Sequence, residues 1–273
     1  MPDQVELQAR DVHVAYGRAV VVRDVDVELR GGRVTALIGP NGSGKSTLLR
    51  AFTRLHRPLS GTVTLADGAA VDELPARVLA TRLTLLSQAR VAPGGVTVRE
   101  VVEYGRHPYR GRWGTGDPEG AAVVERVMAM TGVLELAHRP VDTLSGGQTQ
   151  RVWLASCLAQ DTTVLLLDEP TTYLDLRYQV ELLDIVRDLA DLHGIAVGIV
   201  LHDLDQAAAV ADHVVLLVDG RVAATCAVED VLRPDVLSAA YGIAVDVERD
   251  PATGLIRSRA VARHHHRRQR SPI

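Results

Sequence analysis

The sequence predicts an α/β fold built on buried strands. Three short apolar runs, Val34–Ile38, 164–167 and 195–201, are bounded by polar residues or glycine. Runs of this length are typical of parallel strands that helices cover on both faces. Helical spacing follows the first run, and an amphipathic segment at 175–193, ended by Gly194, separates the other two. This order of strands and helices favours an α/β sheet.

The bulk composition limits the class of protein. The chain has 273 residues, 47% of them hydrophobic, and a formal net charge of −4. This suffices for one large domain, and the charge gives no electrostatic footprint for nucleic acid. No apolar run approaches the roughly 18 residues of a membrane-spanning helix, and the N-terminus has no signal-peptide pattern. Cys157 and Cys226 are expected to be free thiols, so a soluble, cytoplasmic protein is expected.

Residues 5–30 precede the first apolar run and favour strands on either side of a turn at Gly17. Tyr16 stands at this turn. It either packs on the sheet as an ordinary turn tyrosine or offers an aromatic face on which a nucleotide base stacks. The residues alone favour neither interpretation.

The stretch 39–47 carries the strongest single motif. Its sequence, GPNGSGKST, matches G-x-x-x-x-G-K-[ST] between a predicted strand and a predicted helix. Its glycines let backbone N–H groups converge on phosphate oxygens beside a helix N-terminus. Lys45, the only lysine in the chain, supplies a point charge, and the Ser46 hydroxyl can ligate Mg²⁺. The predicted nucleotide-binding residues are Gly39, Pro40, Asn41, Gly42, Ser43, Gly44, Lys45, Ser46 and Thr47.

Gln88 follows a short predicted strand at 82–87, which comes after a small predicted hairpin near residues 60–68. A polar side chain at the end of a strand beside a phosphate loop can reach a metal ion or an attacking water. An ordinary strand-end glutamine is the default interpretation of Gln88 taken alone.

Residues 89–143 differ in character from the rest. Predicted helices at 98–104 and 121–130 are interrupted by an Arg-, Tyr- and Trp-containing loop at 107–114. This loop is expected to be exposed. An exposed cluster of this kind is typical of a protein–protein contact, and the alternative is a solvated loop.

The stretch 144–148 opens another predicted helix. It consists of Leu144, Ser145, Gly146, Gly147 and Gln148. Ser145 and Gln148 have the spacing of a capping box, so a well-capped helix explains them. The functional alternative is a second phosphate-binding helix N-terminus.

Polar side chains follow two of the buried strands. Asp168 and Glu169 end the run at 164–167, and His202 ends the run at 195–201. Buried carboxylates are costly without partners or a task. Asp168 can hold Mg²⁺, and Glu169 can orient and deprotonate an attacking water. His202 lies where open α/β sheets bind ligands.

Together these motifs resemble those of ABC-transporter ATPase subunits, over roughly residues 5–245. The phosphate loop is similar to Walker A, residues 144–148 to the ABC signature, and residues 164–170 to Walker B. The resemblance implies that Tyr16 stacks on the adenine, that Glu169 is the catalytic base, and that Gln88, Ser46 and Asp168 bind the metal ion. It also identifies Gln88 as the Q-loop glutamine, Asp175 as the D-loop aspartate and His202 as the switch histidine. The catalytic residues implied are Lys45, Gln88, Glu169 and His202, and the cofactors implied are ATP and Mg²⁺.

The resemblance implies a fold as well. This is a P-loop NTPase (RecA-like) core with an N-terminal antiparallel β subdomain and an inserted α-helical subdomain. One domain is expected over 1–262: residues 1–88 and 144–262 form the core with the β subdomain, and 89–143 form the helical insertion. The basic tail at 263–273 is expected to be disordered.

The implied partners are a second ATPase chain and membrane proteins. In the family fold, Walker A and the signature of one chain lie too far apart to share a nucleotide. A head-to-tail homodimer is therefore expected, with transmembrane permease subunits, indirectly a substrate-binding protein, and no nucleic acid. The expected location is the cytoplasmic face of the cell membrane.

A finer resemblance concerns the cargo. Residues 171–176, 104–109 and 202–217 are similar to the ATPases of importers for iron siderophores, haem and cobalamin. The alternatives left open are an ABC exporter ATPase and a non-transport ABC ATPase. The DNA-repair type of the latter is disfavoured because the chain has no long coiled-coil insertion.

Overall fold

A computed structural model describes residues 3–87, 94–111 and 116–261. The predictions for Gln88, for part of the loop at 107–114 and for the tail at 263–273 lie outside these residues. The strands are β1 (Val5–Tyr16), β2 (Ala19–Arg30), β3 (Val34–Ile38), β4 (Ser60–Leu65), β5 (Leu83–Leu86), β6 (Val164–Asp168), β7 (Ala196–Val200), β8 (His213–Val218), β9 (Arg221–Ala227), β10 (Val245–Arg249) and β11 (Ile256–Ala260). The α-helices are α1 (Lys45–Phe52), α2 (Ala76–Leu79), α3 (Val98–Tyr104), α4 (Gly120–Met130), α5 (Gly146–Leu158), α6 (Leu176–His193), α7 (Leu204–Val210), α8 (Val228–Val231) and α9 (Pro234–Tyr241).

The central sheet has six strands in the order β5-β6-β7-β3-β8-β9. The first five run parallel, and β9 is antiparallel to β8. Strands β3, β6 and β7 are buried along their whole length, as their apolar runs predict. Because these strands run in one direction, the segments that follow them lie at the same edge of the sheet. That edge carries the phosphate loop, the acidic pair and His202.

Strands β1, β2 and β4 form a separate antiparallel sheet in the order β2-β1-β4. The predicted hairpin near residues 60–68 thus contributes a strand, β4, whose partner is β1. Together with α1, this sheet covers one face of the central sheet through side chains such as Leu29, Phe52 and Leu166. The other face packs against α5 and α6, through residues such as Leu165 and Val186.

Helices α3 and α4, both predicted, pack against α5. The loop after α3 is held more tightly than its polar sequence suggests. Arg106 is buried and donates from Nε and Nη2 to the two carboxylate oxygens of Asp117, at 2.8 and 2.7 Å. Tyr109 is half-buried, stacks against this guanidinium and donates to the Gln160 carbonyl at 2.8 Å. These two residues therefore anchor the loop to the end of α5 and are not free for a partner.

The C-terminal part contains a hairpin of β10 and β11. Asp205 of α7 accepts hydrogen bonds from the backbone and the hydroxyl of Ser258 in β11, at 2.7 and 2.9 Å.

Among the described helices, none combines the length and the apolar character that crossing a membrane requires.

Candidate functional site

The phosphate loop follows β3 and leads directly into α1. Gly39 has a φ of 138°, and a Cβ added there would lie 2.0 Å from the Leu217 carbonyl oxygen. Only glycine fits this close approach of two backbones. Gly44, also left-handed, is the N-cap of α1 and provides no side-chain cap. The first turn of α1 therefore keeps backbone N–H groups for an anion.

Lys45 is buried at the start of α1. Its ammonium donates to the Gly39 and Pro40 carbonyl oxygens, at 2.8 and 2.9 Å. Burial lowers the pKa of Lys45 below its ordinary value, and the nearby carboxylates of Glu169 and Asp168 act in the opposite direction. These neutral backbone acceptors are weaker partners for an ammonium than phosphate oxygens are.

Ser46 and Asp168 are 122 residues apart in the sequence but are in direct contact in the fold. The Ser46 hydroxyl donates to Asp168 Oδ1 at 2.6 Å. Asp168 is almost completely buried at the end of β6. Burial raises the pKa of this carboxyl group, while the hydrogen bond from Ser46 lowers it. A buried carboxylate beside a hydroxyl oxygen is a donor set that suits a hard cation such as Mg²⁺.

Glu169 and His202 form the second polar pair. His202 Nε2 lies 2.6 Å from Glu169 Oε1. Glu169 has a φ of 54°, in the left-handed region that glutamate seldom adopts. Such strain at a polar side chain is concentrated at functional sites. Both residues line a cleft of about 420 Å³, together with the phosphate loop and Val21 of β2.

The structure thus brings together Lys45, Ser46, Asp168, Glu169 and His202, all of which the sequence predicts as site residues. Residues 144–148 and Tyr16, which are also described, do not line this cleft. Tyr16 lies at the hairpin between β1 and β2, with 44% of its surface exposed.

The stretch 144–148 forms the predicted N-terminus of α5. Ser145 Oγ accepts from the Gln148 backbone N–H at 3.3 Å, and Gln148 Oε1 accepts from the Ser145 backbone N–H at 3.1 Å. This is the predicted capping box. Gly147 faces the ring of Tyr178, which would lie 2.5 Å from an added Cβ. Asp175 in turn caps α6 by accepting from the Tyr178 backbone N–H at 3.0 Å.

Sequence reasoning missed a set of polar side chains that connect these elements. Thr171 donates to Gln206 Oε1 at 2.9 Å, and Gln206 donates to Gln179 Oε1 at 3.0 Å. Gln150, in the helix that 144–148 opens, donates to the Pro170 carbonyl at 3.1 Å. The segment after Glu169 is therefore tied to α5, α6 and α7. No periodicity marks these residues; their only signal is closeness in sequence to the predicted motifs.

The fold and this cleft define the class of protein. A glycine-rich loop after a central parallel strand, leading into a helix N-terminus, is a phosphate-binding arrangement. A carboxylate in hydrogen-bond contact with the hydroxyl at that helix start is the arrangement that holds nucleotide-bound Mg²⁺ in such proteins. The chain is a P-loop nucleotide-binding protein of the α/β class.

Comparison with known proteins identifies the family. The profile of the family described as "ABC transporter" matches residues 22–172. The ferric enterobactin transport ATP-binding protein FepC of Escherichia coli is 40% identical over 91% of this chain and 91% of its own length. The cobalamin import ATP-binding protein BtuD of Halobacterium salinarum is 45% identical over 92% of this chain and 62% of its own length. The chain belongs to the ABC transporter family and is an ATPase of the kind that drives transport.

Solved structures support the fold. An inward-facing metal-chelate type ABC transporter, described as putative, superposes with a TM-score of 0.81 at 24% identity, over 94% of this chain and 97% of the matched chain. At that identity the likeness shows the fold alone.

Proposed function

We propose that this chain hydrolyses ATP to power uptake of a ferric siderophore, haem or cobalamin-type ligand through transmembrane permease subunits. The names of the relatives at 40 and 45% identity support the cargo class. The contact between Glu169 and His202 beside the phosphate loop is the observation that carries the hydrolytic role. The proposed location is the cytoplasmic face of the membrane, with a substrate-binding protein acting on the permease from the other side.

The phosphate loop, residues 39–47, binds the triphosphate in this proposal, and Tyr16 stacks on the adenine. Lys45 leaves the Gly39 and Pro40 carbonyl oxygens and turns to the β- and γ-phosphate oxygens. Those oxygens carry formal charge, so the new bonds are stronger, and the raised local negative charge restores the lowered pKa of the lysine. On ATP binding the Lys45 ammonium therefore exchanges backbone carbonyl acceptors for phosphate oxygens, so that its positive charge has hydrogen-bond partners in both states.

The donor set formed by Ser46 and Asp168 fits Mg²⁺, and Gln88, outside the described residues, is proposed to complete it. A Mg²⁺ ion held by these residues would supply positive charge for the phosphate oxygens. Asp168 contributes a formal negative charge that its burial makes unfavourable when no cation is near. A cation held by Asp168 would therefore offset the free-energy cost of burying this carboxylate.

Glu169 is the proposed catalytic base. Its carboxylate faces the cleft and can accept the proton of a water that attacks the γ-phosphorus in line with the leaving oxygen. His202 donates to Glu169 and so fixes the orientation of that carboxylate. Since part of the His202 side chain is exposed, it can turn to the γ-phosphate when nucleotide is bound. Breaking the contact would release the Oε1 atom of Glu169 for the attacking water.

The second phosphate-binding helix N-terminus, at 144–148, is proposed to act on the nucleotide of a partner copy. These residues do not line the cleft that contains Lys45 and Glu169. Two copies arranged head to tail would place Leu144, Ser145, Gly146, Gly147 and Gln148 of each against the triphosphate of the other. Asp175 caps α6 by accepting from the backbone N–H of Tyr178, whose ring faces Gly147. We therefore assign Asp175 to the same proposed contact between the two copies.

A second cleft, of about 510 Å³, is the proposed binding site of the permease. It lies between the end of α1, α2 and β5 on one side and α3 and α5 on the other, and its lining includes Leu55, Tyr104 and Trp153. Leu55 and Tyr104 are 70% and 51% exposed. Exposed apolar side chains around a concave cleft are typical of a helix-binding groove. We place a cytoplasmic helix of the permease there, so that movement of the inserted helices is transmitted to the membrane subunits.

The experiment is reconstitution of the chain with its co-purifying membrane subunits in vesicles. ATP-dependent movement of a ferric siderophore or cobalamin, in the direction of uptake, is the expected result. Leu55→Asp should abolish co-purification and leave basal ATP hydrolysis in place. Leu192→Asp is the matched control, because Leu192 is 73% exposed on α6 and does not line this cleft. Outward movement, or equal loss with both variants, would contradict the proposal.

A further inference from the structure

Tyr16 is paired with a second ring. Its centroid lies 4.3 Å from that of His56, and the two ring planes are inclined by 39°. His56 Nε2 lies 2.7 Å from the Ala15 carbonyl oxygen. Because a carbonyl oxygen only accepts, Nε2 carries the hydrogen and donates it. The imidazole is therefore fixed to the backbone of the residue directly before the tyrosine.

His56 reaches this position from the helix of the phosphate loop. That helix, α1, begins at Lys45. The His56 backbone N–H donates to the Arg50 carbonyl at 3.1 Å, so the chain folds back over the end of α1. Three residues on, the Leu59 backbone N–H donates to the carbonyl of His13 in β1, at 2.7 Å. One short segment thus connects the phosphate-binding helix to the strand that ends at the tyrosine.

The tyrosine ring keeps a free surface. Tyr16 is 44% exposed although His56 packs against it. An unsupported tyrosine at a hairpin turn would lose side-chain freedom when a base stacks on it, and this loss would weaken binding. Packing against an imidazole that is itself hydrogen-bonded restricts the ring before the ligand arrives.

We propose that His56 is a positioning residue for the nucleotide base. Its imidazole holds the Tyr16 ring so that the free face stacks on a purine, and it ties that platform to the helix that starts in the phosphate loop. The inference rests on the proposed role of Tyr16 in the binding of ATP. Its ligand class is a purine nucleoside triphosphate, with the base held by stacking and the phosphates by the loop.

The test separates the base from the phosphates. Affinities for Mg-ATP and for Mg-tripolyphosphate, which lacks the base, are measured on the full-length chain. His56→Ala should weaken ATP about 3- to 10-fold, the usual effect of losing one aromatic pair, and leave tripolyphosphate unchanged. His56→Phe keeps a ring and should recover most of the ATP affinity. His56→Gln keeps a donor for the Ala15 carbonyl without a ring and should resemble His56→Ala.

A double-mutant cycle completes the test. In a Tyr16→Ala background, His56→Ala should have no further effect on ATP affinity, because its action passes through the tyrosine. Equal losses for ATP and tripolyphosphate would indicate a purely structural role and overturn the proposal. An unchanged or higher ATP affinity in His56→Ala would do the same, and the higher value would show that the imidazole covers the base-binding face.

The outcome is distinguishable from failure of the proposed function. If Tyr16→Ala leaves ATP affinity unchanged, Tyr16 does not stack on the base, and the proposed positioning role of His56 is wrong as well. Lys45→Ala tests the phosphate site separately, since it should weaken ATP and tripolyphosphate alike.

Discussion

His202 Nε2 lies 2.6 Å from the Oε1 atom of Glu169, although the two residues follow different strands. Glu169 directly follows β6, and His202 follows β7, which pairs with β6 in parallel. The parallel register therefore creates the contact. The left-handed backbone at Glu169 completes it by turning the chain sharply after the buried strand. In this arrangement the proposed base and the proposed sensor of the γ-phosphate are one hydrogen-bonded unit.

Ser145 tests the head-to-tail arrangement. Ser145→Arg should abolish hydrolysis and leave ATP binding to the isolated chain almost unchanged, because Ser145 acts on the nucleotide of the partner copy. The variant also loses the N-cap of α5, at a cost of about 1 kcal/mol in unfolding free energy. Retained ATP binding therefore serves as the control for folding.

Complementation makes this prediction sharper. Mixing Ser145→Arg with Lys45→Ala should regenerate one intact composite site per heterodimer. Random pairing then gives about a quarter of wild-type activity, since half of the dimers are mixed and each has one of two sites. Complete absence of activity in mixtures whose heterodimers are shown to form would count against the arrangement.

Asp168 should make stability depend on pH. Its folded-state pKa is raised by burial, so the charged form destabilises the nucleotide-free protein above that pKa, and protonation relieves the cost as the pH falls through it. Asp168→Asn should therefore raise the melting temperature at pH 7, with a difference from wild type that shrinks toward acid pH. The same variant should lose the stabilisation that Mg-ATP gives the wild type. A lower melting temperature for the variant at pH 7 would contradict this prediction, because it would show that interactions within the folded protein already offset the cost of burying the Asp168 carboxylate.

Two adjacent glycines offer a matched pair. A Cβ at Gly147 would lie 2.5 Å from the Tyr178 ring, whereas a Cβ at Gly146 would meet nothing within 4 Å. Gly146→Ala should be neutral or stabilising by up to about 1 kcal/mol, since alanine favours a helix. Gly147→Ala should lower the free energy of unfolding because the ring must move. Denaturant unfolding of both variants measures this, and equal effects would mean that the ring yields freely.

Much of the fold could be predicted from local sequence. The runs behind β3, β6 and β7 are apolar, apart from the buried Thr35 in β3, because both faces of those strands are buried. Their parallel direction then brings Lys45, Asp168 and His202 to one edge. The roles of residues 144–148 and Tyr16 toward nucleotide, and the boundaries at 88–89 and 143–144, stay predictions.

Other features depend on contacts that no local pattern encodes. Tyr109, expected in an exposed loop, is half-buried because the neighbouring Arg106 pairs with Asp117 and donates to the carbonyl oxygen of Ala159 at the end of α5. The hydrogen bond between Thr171 and Gln206 joins residues 35 positions apart. The support of Tyr16 by His56 likewise arises from the path of the chain after α1, which the spacing of apolar residues does not specify.

The most direct test of the account is the rate of ATP hydrolysis by Glu169→Gln. The glutamine keeps an oxygen that can accept from His202 but cannot take a proton from water. Turnover should fall by roughly 10²–10⁴, the usual contribution of a positioned base, with ATP affinity retained and an ATP-bound dimer accumulating. Single-turnover kinetics together with equilibrium ATP binding measure both quantities on one preparation. Hydrolysis at the wild-type rate would remove Glu169 from the role of base and contradict the proposed mechanism.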